Sequence, residues 1–363
     1  MRWSLKLGRI AGIKLTVHWT FLIIIAWVII SELNKGSDWG TIGLTIAYVL
    51  TIFACVVLHE LGHALMARRY NIPTKSITLL PIGGVASLEK MPEEPKRELA
   101  VAIAGPFVNV AIVAILYLFI APLDTYIPES QEQIATSITP ENFFFSLFII
   151  NLLLVLFNAI PAFPMDGGRV LRALLAMNMD RLKATNIAAR LGQLLAIFFV
   201  FLGFFYNPFL IFIGIFVFLG ANAENMVIQQ MQYAKGHKVE EAMITSYRQL
   251  SPDNTIDEAT KQLIAGSDHS FVVVSNGKAE GIVTREAIIQ ALSEHRQESP
   301  VSDIMTKEFQ SLQADEKLTE ALYKLRSSNQ QRIFPVTDAQ GDLKGLITPE
   351  NVNEFISIQS ALY

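Results

Sequence analysis

The stretch that most constrains this chain is Val57-Leu58-His59-Glu60-Leu61-Gly62-His63-Ala64-Leu65. It sets two imidazoles and a carboxylate inside a run, Gly40 to Ala67, that holds no Asp, Lys or Arg. A run of that length and apolarity predicts a membrane-crossing helix, for which about 20 residues suffice. On a helix His59 and His63 lie one turn apart on the same face. Two imidazoles at that spacing can share a tetrahedral Zn²⁺. Glu60, directly after the first, is placed to act as general base on a water at the metal. Ionisable groups at membrane depth are costly to keep, so their presence argues for function.

Composition agrees with a membrane protein. Of 363 residues, 52% are hydrophobic and 17% charged, with a mean hydropathy of +0.38; average soluble chains are about 25% charged. Half of the charged residues lie beyond Lys235, in roughly the last third of the chain. A net charge of -4 gives no basis for nucleic-acid binding. The single cysteine, Cys55, excludes an intramolecular disulfide and a Cys-rich zinc site. Arg2, Lys6, Arg9 and Lys14 precede the first apolar run, as in a signal peptide, but no small-residue cleavage site follows. That run reads as a retained span.

Apolar stretches over Leu15–Ile30, Trp39–Arg69, Leu99–Ala121, Phe143–Ile160, Ala184–Phe205 and Phe209–Ile228 predict about six spans. His18, at the edge of the first, reads as an interfacial residue. Between the second and third, Ile77–Leu80 and Val85–Leu88 flank Gly83-Gly84 and read as a small hairpin. Unpaired strand edges cannot face lipid, so the hairpin must lie at the interface or dip inward near the histidines. Glu93 to Glu98 reads as a solvated connector. Ala104-Gly105-Pro106 permits close helix approach, and Asn109, inside hydrocarbon, needs a partner.

After the fourth span comes Asn158-Ala159-Ile160-Pro161-Ala162-Phe163-Pro164-Met165-Asp166-Gly167-Gly168-Arg169. Its prolines and glycines cannot continue a helix. Broken helices at membrane depth line sites or cavities. Asp166, in that break, is the carboxylate best placed to meet His59 and His63, although as an isolated Asp it would serve as a cap for the helix from Val170. Loop charge fixes orientation. The loops at Ser31–Asp38, Pro122–Glu141 and Asn207 hold Lys35 as their sole Lys or Arg, whereas the N-terminus, Arg68–Arg97, Arg169–Lys183 and the region after Lys235 are basic. Both termini are therefore expected in the cytoplasm, with His59, His63 and Asp166 towards the cytoplasmic side.

From His237 onward the sequence repeats. Ala242-Met243-Ile244-Thr245 recurs as Ile304-Met305-Thr306-Lys307, Phe271-Val272-Val273-Val274 as Ile333-Phe334-Pro335-Val336, and Gly281-Ile282-Val283-Thr284 as Gly345-Leu346-Ile347-Thr348. Each unit reads strand, helix, strand, strand, helix, which predicts a tandem α/β pair with a cleft between its halves. The expected fold is thus a multi-pass α-helical membrane protein with a small interfacial β-hairpin, followed by an α/β tandem pair.

With these motifs in view, the chain resembles the site-2 protease family of intramembrane zinc metalloproteases. The resemblance rests on His59-Glu60-Leu61-Gly62-His63 in a span, Ala104-Gly105-Pro106 with Asn109, and Asn158 with Pro161 leading to Asp166-Gly167. The two repeats resemble a pair of cystathionine-β-synthase (CBS) domains. The resemblance implies a transmembrane metalloprotease domain over 1–235 and CBS domains over 236–296 and 297–363. It implies one Zn²⁺ held by His59, His63 and Asp166, Glu60 as general base, and site-supporting or substrate-positioning roles for Asn109 and Asn158. It further implies a membrane-spanning protein substrate, regulated intramembrane proteolysis in a cell membrane, and a homodimer through the CBS pair. No PDZ-like insertion follows the second span.

The resemblance implies adenine nucleotide, ATP or AMP, as the usual ligand of such a pair, held through Gly-x-x-Thr/Ser and, after two intervening residues, Asp. Here Thr284 lacks that acidic residue, and Thr348 with Asn351 is a closer match. Dimerisation alone is the alternative role of the pair. Intramembrane His and Asp beside broken helices also describe a CBS-regulated metal or proton transporter, and a non-catalytic protein that captures membrane segments is a third reading. Glu60 favours the protease, because neither rival needs a carboxylate directly after the first of two helically spaced histidines.

Overall fold

The computed structural model describes residues 4–81, 83–88, 92, 94–120, 138–266, 269–328 and 331–362. The expected Pro122–Glu141 loop lies outside them as far as residue 137. The chain forms two compact units, Met1–Met226 and Val227–Tyr363. The first contains β1 (Ser4–Ile10), β2 (Ile13–His18), α1 (Phe21–Asn34), α2 (Trp39–Arg69), β3 (Thr74–Leu80), β4 (Gly83–Leu88), α3 (Pro95–Ile120), α4 (Phe143–Ala159), α5 (Asp166–Ala176), α6 (Arg181–Phe205) and most of α7 (Phe209–Tyr233).

Among the described residues four helices, α2, α3, α6 and α7, are long and apolar enough to cross a membrane, while α1 and α4 are shorter apolar helices. Helix α2 starts where Asp38 accepts hydrogen bonds from Gly40 N at 2.9 Å and the Thr41 hydroxyl at 2.6 Å, satisfying first-turn donors. It ends with Arg68 and Arg69 in its last turn, where cations meet the negative end of the helix dipole. The 31 residues of α2 span roughly 46 Å at about 1.5 Å per residue, and His59 lies well past its midpoint.

Four strands form one sheet in the order β1-β2-β3-β4, with β2 and β3 parallel and the other pairs antiparallel. Ile13, Val17, Ile77 and Leu79 pack from this sheet onto Val57, Leu61 and Ala64 of α2. The outer edge of β4 has no strand partner among the described residues.

Two local expectations change. Leu15 to His18 belongs to β2, not to a first span, and the helix begins at Phe21. Buried Ile13 and Val17 alternate with exposed Lys14 and half-buried Thr16, a period of two set by pairing with β1 and β3. The Glu93–Glu98 segment is not a plain connector either. Pro95 opens α3, and Glu98 is buried against Arg172 and Arg181; Glu93 lies outside the described residues.

The second unit holds α8 (Val239–Ala242) and two copies of one module: β5 (Gln249–Leu250), α9 (Ile256–Ile264), β6 (Ser270–Ser275), β7 (Lys278–Thr284) and α10 (Arg285–Ser293), then β8 (Leu312–Gln313), α11 (Leu318–Ser327), β9 (Phe334–Thr337), β10 (Leu343–Ile347) and α12 (Pro349–Leu362). In each, the short first strand runs parallel to the second, and the third is antiparallel to it. The segments before the two modules exchange places. Ile244 bridges Leu346 of β10, and Thr306 bridges Ile282 of β7. That reciprocity gives the pair its pseudo-twofold character.

Candidate metal centre

The site is assembled from three helices. His59 and His63 project from one face of α2, and Asp166 is the first residue of α5. The chain before α5 cannot be helical, because Ile160 to Met165 carries two prolines; it folds instead into tight turns, with Ala162 N bonded to the Ile160 carbonyl at 2.7 Å and Met165 N to the Ala162 carbonyl at 3.0 Å. These turns deliver Asp166 to the histidines. His59 Nε2 lies 3.1 Å from Asp166 Oδ2, His63 Nε2 lies 3.0 Å from the same oxygen, and the two Nε2 atoms are 3.1 Å apart. All three side chains are buried.

The outward nitrogens decide what the inward ones can do. His63 Nδ1 lies 2.8 Å from the Val101 carbonyl, and His59 Nδ1 lies 2.6 Å from Asn109 Oδ1. Both partners accept, so each Nδ1 carries the hydrogen and each neutral ring turns an Nε2 lone pair inward. Two nitrogen lone pairs and a carboxylate oxygen then face one another across about 3 Å. Such a cluster of acceptors is repulsive unless a cation joins it. A tetrahedral zinc with bonds of about 2.0–2.1 Å has ligand-to-ligand edges of roughly 3.3 Å, close to the observed triangle. The donor set fits Zn²⁺.

Glu60 leaves α2 on a different face, towards the sheet. A β-carbon built on Gly84 of β4 would lie 2.7 Å from Glu60 Cγ and 3.2 Å from Val56 Cγ1. The backbone of β4 therefore runs directly over Glu60, and a side chain at position 84 would have to displace Glu60 or the strand. Glu60 is partly buried, and its carboxylate has no hydrogen-bond or ion-pair partner among the described residues.

The supporting residues behave unequally. Asn109 is buried at the site, on His59. Asn158 is not joined to the cluster; its amide donates back to the Leu154 carbonyl at 3.0 Å within α4. Two features were missed in the sequence. Asn151, fully buried on α4, accepts from Asn109 Nδ2 at 3.0 Å; an Asn in the middle of an apolar helix is its signal. Arg172, fully buried on α5, pairs with Glu98 of α3 and with Glu224 of α7 at 2.7 Å, and lies over the Phe163 ring at 4.9 Å. It ties the helix of Asp166 to two neighbours.

In the second unit, Thr284 and Thr348 take equivalent places before α10 and α12. Thr284 Oγ1 accepts from Ala287 N at 3.2 Å, and Thr348 Oγ1 accepts from Asn351 N at 3.0 Å. The Asn351 amide donates to the Ala242 carbonyl.

Comparison with known proteins bears on this geometry. Residues 47–202 match Peptidase family M50, and residues 239–294 and 301–358 each match the CBS domain. The zinc metalloprotease MJ0392 of Methanocaldococcus jannaschii is 34% identical over 360 residues, covering 99% of this chain and 97% of that protein. Rip3 of Mycobacterium tuberculosis is 29% identical over 380 residues, covering 99% of this chain and 94% of its own. The solved Site-2 Protease from Methanocaldococcus jannaschii covers 61% of this chain and 95% of its own at 36% identity, with a TM-score of 0.45. The full-length match to the zinc metalloprotease MJ0392 does not favour the transporter reading. The chain belongs to peptidase family M50: it is a membrane-embedded zinc metalloprotease of the site-2 type that carries a CBS-domain pair.

Proposed function

We propose that this protease cleaves within the membrane-spanning segment of a membrane-anchored regulatory protein, with His59, His63 and Asp166 holding one Zn²⁺ and Glu60 as general base. The observation that carries the reading is the inward triangle of two Nε2 atoms and Asp166 Oδ2, with both Nδ1 atoms held by acceptors. Zinc bound there would polarise the scissile carbonyl and bring the pKa of a water to about 7. Glu60 accepts the water proton on a carboxylate oxygen and returns it to the leaving amine nitrogen. Its lack of a competing partner among the described residues suits a group that must take up and release a proton. Asn109 and the Val101 carbonyl keep the two rings turned inward, and Asn158, one turn before the break, belongs to substrate positioning.

A helical substrate hides its peptide bonds, so it must unwind locally. The outer edge of β4, whose backbone passes over Glu60 and which has no strand partner among the described residues, offers main-chain groups to an extended segment. The positive-inside pattern supports six spans with both termini and the CBS pair in the cytoplasm. For the pair we assign adenine nucleotide to the Thr348 and Asn351 end, with Thr284 at the equivalent place in the first module, and homodimerisation through the same unit. Titration calorimetry with AMP and ATP on wild type and Thr348→Val tests the nucleotide; equal heats from both proteins would remove that residue from the assignment.

The function is tested by cleavage of a tagged single-span protein by purified enzyme in detergent. Wild type runs beside Glu60→Gln and a chelated sample. Cleavage by wild type alone supports the reading; cleavage by Glu60→Gln at the wild-type rate would overturn the role of Glu60.

A further inference from the structure

We propose that Asn151 is a positioning residue for the metal centre: it sets the direction of a hydrogen-bond relay that turns the His59 Nε2 lone pair towards the metal. The inference rests on the metal assignment above. Its ground is the difference between the two histidines. His63 Nδ1 meets a backbone carbonyl, that of Val101, which can only accept. His59 Nδ1 meets a side-chain amide, Asn109, which can present either an oxygen or an NH₂ group. With the oxygen presented, His59 carries its hydrogen on Nδ1 and ligates through Nε2. With the NH₂ presented, the hydrogen moves to Nε2 and the ring cannot ligate there.

Something must choose, and the choice is made beyond Asn109. Its amide nitrogen is 3.0 Å from Asn151 Oδ1. Asn151 is held in turn by acceptors on its own nitrogen: the Leu147 carbonyl at 2.8 Å and Cys55 Sγ at 3.6 Å. The Leu147 carbonyl has no hydrogen to give, so it fixes the Asn151 NH₂ group. The Asn151 oxygen then takes the Asn109 NH₂, and the Asn109 oxygen takes the His59 Nδ1 hydrogen. The relay runs from a backbone carbonyl on α4 through α3 to the metal face of α2. Asn109 is 1% and Asn151 0% exposed, so no bulk water can repair a break or reverse a link.

The test uses the full-length protein in detergent and reads zinc affinity by chelator competition, with melting of the zinc-free protein as the fold control. Asn151→Leu keeps the branched shape and removes the acceptor; it should weaken zinc about 10-fold or more, the scale of lost ligand-supporting hydrogen bonds. Asn151→Asp, neutral in this apolar setting, keeps an acceptor for Asn109 and a donor for Leu147; it should bind within about 2-fold of wild type. Asn109→Leu should lose as much as Asn151→Leu, and the double variant no more than either, because the links act in series. Asn151→Leu at wild-type affinity, Asn151→Asp as weak as Asn151→Leu, or additive losses in the double variant would each overturn the relay. A wild type that holds no zinc would overturn the metal assignment with it, whereas wild-type zinc with an unaltered Asn151→Leu would overturn the relay alone.

Discussion

Gly105 on α3 lies against His63 so closely that a β-carbon there would come within 2.2 Å of His63 Nε2, and within 2.7 Å of His59 Nε2. The small-residue step in α3 therefore does more than let two helices cross. It leaves the space in which both rings turn their Nε2 atoms inward. Gly105→Ala keeps the helix, and alanine is a better helix former by about 1 kcal/mol, but it displaces both imidazoles. We expect zinc affinity to fall on the order of 10- to 100-fold while the zinc-free protein still folds. Zinc retained after gel filtration in dilute chelator checks this.

The close approach of Gly84 to Glu60 predicts the opposite pattern. A methyl group on Gly84 meets Glu60 Cγ at 2.7 Å and must shift either the carboxylate or β4. The metal ligands lie on another face of α2 and stay in place. Gly84→Ala should bind zinc as wild type does and lose turnover. Glu60→Gln should lose more, about 10²- to 10⁴-fold, the usual worth of a general base. Zinc content and single-turnover cleavage, measured on one preparation, separate the two glycines. A proline in Val85–Leu88 should likewise slow cleavage with zinc retained, if substrate pairs with the β4 edge.

What the sequence made legible was local. The register of His59, Glu60 and His63 is helical arithmetic, and α2 spans Trp39–Arg69 as the apolar run suggests. Asp166 stood out because prolines and glycines surround it. The module order after Lys235 followed from self-similarity. What stayed hidden depends on partners far along the chain. Leu15 to His18 is apolar enough for a span, and pairing with β1 and with β3, the latter some sixty residues later, makes it a strand. Glu98 looks solvated until Arg172, 74 residues away, reaches it. Asn158 drew attention as part of a motif and bonds within its own helix. Asn151 carries no motif, although an amide at that depth needs a partner as much as Asn109 does.

The Arg172 cluster carries its own prediction. Its guanidinium is 0% exposed and is shared between Glu98 and Glu224, with Arg181 Nη2 adding a contact to Glu98 at 3.3 Å. Removing it leaves two carboxylates without their main counter-charge. Arg172→Leu should destabilise the protein by about 3–5 kcal/mol and loosen the helix that carries Asp166, so zinc should be lost with the fold. Adding Glu98→Gln and Glu224→Gln removes the stranded charges and should recover part of the stability. Urea or heat titration in detergent, followed by tryptophan fluorescence, checks both steps. A recovery of stability without zinc would assign the ion cluster to positioning as well as to folding.

Metal removal tests how far the centre itself holds the helices together. His59 and His63 come from α2 and Asp166 from α5, with Asn109 and Val101 of α3 behind the rings. A cation among these acceptors binds the folded protein and has no such site in the unfolded chain. Zinc at about 100 times its Kd should therefore raise stability by roughly 2.7 kcal/mol. Chelation should abolish cleavage and lower the melting midpoint by a few degrees, and stoichiometric zinc should restore both. In Asp166→Asn the triangle loses its negative charge, so the melting shift on adding zinc should shrink even where the variant folds. If zinc raised the melting midpoint of His59→Ala, His63→Ala and wild type equally, the stabilising site would lie elsewhere in the chain.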